Sequence, residues 1–130
     1  MYESVTLFTG NSYTNFTLND SVSNYEMLRF DITNNINGSW VNYQTFDSKF
    51  ITLEESFGNT AFIFNIIFYA GSVYCYTATT TITVNGTTVT QTNNRMTRGC
   101  NEASGTTTVE TGDNGIIVYG VTGYRRIQTT

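Results

Sequence analysis

Thr81-Ile82-Thr83-Val84-Asn85-Gly86-Thr87-Thr88-Val89-Thr90 decides the fold class of this chain. On either side of Asn85-Gly86, β-branched residues dominate and apolar positions alternate with threonines, the pattern of a half-buried strand. Asn-Gly supplies the two positive φ values of a type I′ turn, whose twist suits antiparallel strands. A two-residue loop at that point predicts Val84 opposite Thr87 and Ile82 opposite Val89, with Thr83 facing Thr88 and Thr81 facing Thr90 on the other side. The segment is a β-hairpin.

Working outward, the same rhythm continues in both directions. Short strands are predicted at Ser4 to Phe8 and Asn15 to Leu18, with turn-forming Thr9-Gly10-Asn11 between them and Asn19-Asp20-Ser21 ending the second. From Tyr25 to Thr33 the alternation is clean: Leu28, Phe30 and Ile32 share one face, while Met27, Arg29, Asp31 and Thr33 share the other. Beyond Asn34-Asn35 and Asn37-Gly38 a strand is expected from Trp40 to Phe46, then a polar turn at Asp47-Ser48, then a strand from Phe50 to Glu54. Asn93 to Thr108 is polar and rich in Gly and Thr, which predicts a loop, and Thr111-Gly112-Asp113-Asn114-Gly115 is a turn opening the last strand.

Two strands depart from simple alternation. Ala61 to Ala70 and Ile116 to Val121 carry apolar residues at both odd and even positions, so each is expected to be covered on both faces. A sandwich covers one face of each sheet. The spare face is therefore predicted to be an oligomer interface, with Phe62, Phe64, Ile66, Phe68, Ile117 and Tyr119 as its candidates.

Composition agrees with an all-β reading. Aromatic residues make up 15% of the 130-residue chain, and there is no proline. Strand and turn formers displace the helix formers. The length suits a single domain spanning residues 1–130, and about nine or ten short strands at this spacing predict an antiparallel β-sandwich, jelly-roll-like.

Composition also narrows function. Charged residues are 12% of the chain and the net charge is −4, which excludes a nucleic-acid surface, since phosphate binding needs clustered Lys and Arg. No apolar run reaches the roughly 20 residues of a membrane-spanning helix. Met1-Tyr2-Glu3-Ser4-Val5 lacks the basic flank and apolar core of a signal peptide, so the chain is expected to be soluble. Asn15, Asn19, Asn37 and Asn85 open glycosylation-like triplets that a chain rich in Asn and Thr produces by chance.

Catalysis is not expected. The chain has no histidine, which removes Ser-His-Asp and Cys-His arrangements. Glu54, Glu55, Asp31 and Asp47 are the carboxylates from which a glycosidase pair could be drawn, and solvated surface acids are the favoured reading. Cys75 and Cys100 make no disulfide framework and no zinc site, and neither a metal nor another cofactor is implied. Whether the two cysteines are bonded is open. Trp40 and Tyr43 flank Asn42 on one predicted strand, and flat rings beside amide donors are how proteins grip sugars. Trp40 as a core residue of the sandwich is the favoured reading, since large aromatics are highly buried on average.

Both ends of the chain resemble a known family. Ser4-Val5-Thr6-Leu7-Phe8-Thr9-Gly10 and Phe16-Thr17-Leu18-Asn19-Asp20-Ser21-Val22-Ser23-Asn24-Tyr25-Glu26-Met27-Leu28 are similar to the opening of the C-terminal head domains of bacteriophage tail fibres and minor structural proteins. Ile117-Val118-Tyr119-Gly120-Val121-Thr122-Gly123-Tyr124-Arg125-Arg126-Ile127 is similar to their closing strand. The resemblance implies a trimeric fibre head on a virion, assembled in the host cytoplasm and contacting a host-surface receptor, glycan or protein, through its exposed loops. Its partners would be two further copies and the fibre shaft, tail or capsid. A decoration or assembly protein that binds no receptor, and a bacterial carbohydrate-binding adhesin module, are the alternatives. Asn93 to Thr108 is the candidate binding loop.

Overall fold

A computed structural model describes residues 1–34, 44–52, 61–70, 74–101 and 110–127. Within them the chain forms β1 (Tyr2–Ser12), β2 (Phe16–Thr17), a 3₁₀ turn (Val22–Asn24), β3 (Met27–Asn34), β4 (Phe46–Thr52) and β5 (Ala61–Ala70). β6 (Tyr74–Asn85), β7 (Thr88–Asn101), β8 (Glu110–Asp113) and β9 (Ile116–Arg126) follow. Every described pairing is antiparallel.

The strands divide into a four-stranded sheet ordered β1-β9-β3-β4 and a five-stranded sheet ordered β2-β7-β6-β5, with β8 also paired to β7. Their inner faces supply one core. Leu28, Phe30, Ile32, Ile116, Val118 and Val121 come from the first sheet, and Phe64, Ile66, Tyr76, Ile82, Val84 and Val89 from the second. Phe30 meets Phe64 across the layer with ring centroids 5.3 Å apart. The all-β sandwich and the inward set Leu28, Phe30 and Ile32 follow the alternation in the sequence. The jelly-roll likeness holds for β1-β9-β3 and β2-β7, which interleave the two ends of the chain. It stops at the β3-β4 hairpin and the β5-β6-β7 meander, where sequence neighbours stay adjacent.

The hairpin forms with a different register from the one predicted. Val84 pairs with Val89 and Asn85 with Thr88, so the loop residues are Gly86 and Thr87. Gly86 alone has positive φ, at 60°, the requirement of a type II′ turn rather than I′. The physical reason is the core: this register puts both fully buried valines opposite each other on the inner face.

Two predicted breaks are strand instead. Asp47 and Ser48 lie inside β4, opposite Ile32 and Asp31. Ser48 Oγ donates to Asp31 Oδ1 at 2.8 Å and Lys49 pairs with Asp47 at 2.9 Å, so polar groups here decorate a sheet edge rather than turn the chain. β7 continues through Asn101, well into the segment predicted as a loop. The polar signal there marks a bulge: register steps from Thr81↔Thr92 to Thr79↔Arg95, with Asn93 at φ 50°.

The two ends of the chain meet in a single cluster. Tyr25 Oη donates to Asp20 Oδ2 at 2.9 Å, while Asn24 Nδ2 and the Ser21 amide both donate to Asp20 Oδ1 at 2.8 Å. Arg125 lies over the Tyr25 ring, 5.2 Å from its centroid, and pairs with Glu3. A Cβ on Gly123 would sit 2.6 Å from the Tyr25 ring, so only glycine lets β9 pass under it. Asp20 is held below the ordinary carboxylate range by the Tyr25 hydroxyl first, then the Ser21 amide and Asn24. Burial, followed by its bond to Asp20, pushes the Tyr25 phenol up.

Candidate functional site

β3 is central in its sheet, and its outward residues Arg29 and Asp31 form an ion pair of 3.0 Å with side chains 34% and 16% exposed. Arg29 Nη1 donates to Tyr124 Oη at 2.9 Å, and Nη2 donates to Thr122 Oγ1 at 3.3 Å. Arg29 Nε lies close to Asp31 without a hydrogen bond of its own, and Nη2 of the same guanidinium donates to Asp31 Oδ2 at 3.4 Å. Gly120 lies opposite Asp31 in the register, where a Cβ would come 3.1 Å from Oδ2.

Aromatic rings frame this pair. Phe46 and Phe50 project from β4 and are 60% and 59% exposed, large values for phenylalanine in a folded sheet. Each is backed by a tyrosine of β9: Tyr119 meets Phe46 edge-on with centroids 5.6 Å apart, and Tyr124 lies 6.4 Å from Phe50. Burial first, then the negative charge of Asp31, pushes the Tyr119 phenol up.

The opposite outer face belongs to β5, β6 and β7 and has a different chemistry. Ile63 and Ile67 of β5 are 65% and 64% exposed. Beside them threonines pair in rows, Thr81↔Thr92 and Thr83↔Thr90, and Thr79 Oγ1 donates to Asn65 Oδ1 at 2.9 Å. Arg95, opposite Thr79, brings charge to one end.

A shallow polar groove of about 380 Å³ lies beside that end, lined by Tyr13, Thr14, Gln91, Asn93, Asn94, Arg95 and Asn114. Two amides build its floor. Gln91 Nε2 donates to the Ser12 and Thr14 carbonyls at 2.9 and 3.1 Å. Asn94 Nδ2 donates to the Ile116 carbonyl at 2.8 Å while its Oδ1 accepts the Ile116 amide at 2.7 Å. Asn93 and Asn114, the non-glycine residues with positive φ among those described, both border it. Asparagine tolerates that conformation better than most residues.

The predicted sites distribute unevenly over this surface. Trp40, Asn42 and Tyr43 lie outside the described residues. Phe64 and Ile66 are corrected: they are buried in the chain's own core, because the even positions of β5 face inward and the odd positions carry Ile63 and Ile67 outward. Phe62 is half-buried against the same core, and the Phe68 side chain is not among those described. Ile117 and Tyr119 do face outward on β9, half-buried. Of the predicted binding loop, Asn93, Asn94 and Arg95 reach the polar groove. Phe46 and Phe50 do not stand out in the sequence because Asp47-Ser48 reads as a break between them; their spacing about an outward serine is the signal that links them.

The carboxylates do not form a catalytic pair among the described residues. Asp31 stands opposite Ser48 and Asp47 opposite Ile32, so the two project from opposite faces of the sheet. Asp47 is held below the ordinary carboxylate range chiefly by Lys49. Glu54 and Glu55 lie outside the described residues. No group of three or more Cys, Asp or Glu among the described residues is placed to hold a metal. No protein-family model and no curated protein matches the chain.

Proposed function

We propose that the chain is the head of a bacteriophage fibre, a homotrimeric β-sandwich carried on the virion by other virion proteins, which recognises a host-surface glycan. The observation that carries this reading is that both outer faces of the sandwich present large apolar side chains to solvent: Ile63 and Ile67 on one, Phe46 and Phe50 on the other. Large apolar side chains repeated along an outer face are what supports an interaction surface there. The two faces suit two partners. Isoleucine and threonine in rows suit contact with another copy, whereas rings around an Arg-Asp pair suit a polar ligand with apolar faces.

Light scattering on the purified chain is the first test. A particle of three times the 14.5 kDa chain mass is expected, and binding of the labelled protein to host cells but not to receptor-deficient ones. A monomer would sink the trimer. A trimer that binds no host cell would favour a decoration or assembly role.

A further inference from the structure

We propose that the outer face of the four-stranded sheet binds a linear, electrically neutral oligosaccharide of at least three units, lying along β4 from Phe46 to Phe50. The proposal rests on the receptor-binding reading above and gives it a location and a ligand class. Phe46 and Phe50 are four residues apart on one face of one strand, which separates them by about 13 Å. That span exceeds a single sugar ring, so one ligand engages both only if it is a chain. Each phenylalanine is steadied by a tyrosine behind it, Tyr119 and Tyr124, and an oriented ring stacks on the C–H face of a pyranose.

Between the rings the surface turns polar. Ser48 stands midway on β4 with its hydroxyl on Asp31, and the Tyr124 hydroxyl lies on Arg29. Apolar ends with hydroxyls between them match an oligosaccharide, whose rings offer C–H faces and whose edges offer hydroxyls that both donate and accept. Interface centres between proteins are depleted of carboxylates although Arg and aromatic rings are enriched there, so it is Asp31 that counts against a second copy as the occupant. A neutral ligand follows from the charges. Arg29 is matched by Asp31 and Lys49 by Asp47, so neither cation is left to hold an acidic sugar. β4 is also the last strand of its sheet, so the strip is open along one side among the described residues.

The test is saturation-transfer NMR and calorimetry of the whole chain with cellotriose, maltotriose, laminaritriose and chitotriose, their hexamers, and the matching monosaccharides. At least one trimer or hexamer is expected to bind, and its monosaccharide at least tenfold more weakly. Phe46→Ala and Phe50→Ala should each weaken binding about tenfold, the loss of one stacked ring, with the melting temperature little changed. Phe50→Tyr should restore it. Binding of none of these sugars, or binding indifferent to both alanine variants, overturns the proposal. Light scattering on the same samples separates it from the assembly reading. A fall in mass in Phe46→Ala or Phe50→Ala would make this face a subunit contact and overturn the proposal. A wild-type monomer that binds sugar through these rings would uphold it and sink the trimer.

Discussion

β9 runs through the middle of the four-stranded sheet, whereas β5 closes the edge of the five-stranded one. Both carry apolar residues on both sides. On β9 the outward residues find shelter within the chain: Ile117 stands between strands opposite Thr33, and Tyr119 packs edge-on against Phe46. On β5 the outward Ile63 and Ile67 have a neighbouring strand on one side, β6, which offers threonines opposite them. They stay about two-thirds exposed. The difference teaches that an apolar position on an outer face is explained by its lateral neighbours before any partner is invoked. A central strand has two such neighbours and an edge strand has one.

The largest effects are expected at adjacent residues of β5. Ile66→Asp places a charge in the core and is expected to abolish folding, a cost on the order of the whole stability of a domain. Ile67→Asp, one residue on, should leave the thermal melt within a few degrees of wild type and, on the proposed trimer, lower the solution mass. A lost melt in Ile67→Asp with a retained one in Ile66→Asp would reverse the faces assigned to β5.

β9 also has a backbone constraint that β5 lacks. Gly123→Ala should cost about 1–3 kcal/mol, read as a lower denaturation midpoint, because its methyl would enter the Tyr25 ring. An unchanged midpoint would show that Tyr25 moves aside freely. A smaller effect is expected at the rings: a double-mutant cycle of Phe46→Ala with Tyr119→Ala should give a coupling of about 0.5–1.5 kcal/mol. Ile63→Ala should cost less than about 0.5 kcal/mol in the monomer.

The smallest effect is one of pH, at the end of β9. Asp20 has its carboxyl pKa lowered in the folded chain, so its contribution to stability is fully present above the unfolded value of about 3.9. It is lost as pH falls through the lowered folded value. The wild-type melting temperature should therefore drop on acidification below about pH 4 more than that of Asp20→Asn. Parallel curves for the two proteins would remove Asp20 from the acid response.

Much of the fold is legible in the residues. The alternation Leu28, Phe30, Ile32 gives a strand and its inward face, and Asn85-Gly86 locates a hairpin. The register of that hairpin is not legible, because the two-residue loop fits at Asn85-Gly86 or at Gly86-Thr87 by local rules alone. Only the burial of Val84 against Val89 separates them. Asp47-Ser48 reads as a turn because polar residues in sequence do not reveal that an arginine-bound aspartate stands opposite on the paired strand β3. With a turn at that point, Phe46 and Phe50 fall on separate strands and do not read as one exposed row. The polar groove was hidden for a different reason: Tyr13, Gln91 and Asn114 are far apart in the chain and meet only when β1, β7 and β9 assemble.

What the sequence alone determines here is strand content, the hairpin's place and the inward face of each cleanly alternating strand, since a period of two is a local property of the backbone. The tertiary structure decides which face of β5 is inward, that β4 runs through its polar residues, and that Asp20, Tyr25, Gly123 and Arg125 join the two chain ends. A strand apolar on both sides looks the same when flipped, and contacts across the sandwich are what break that symmetry.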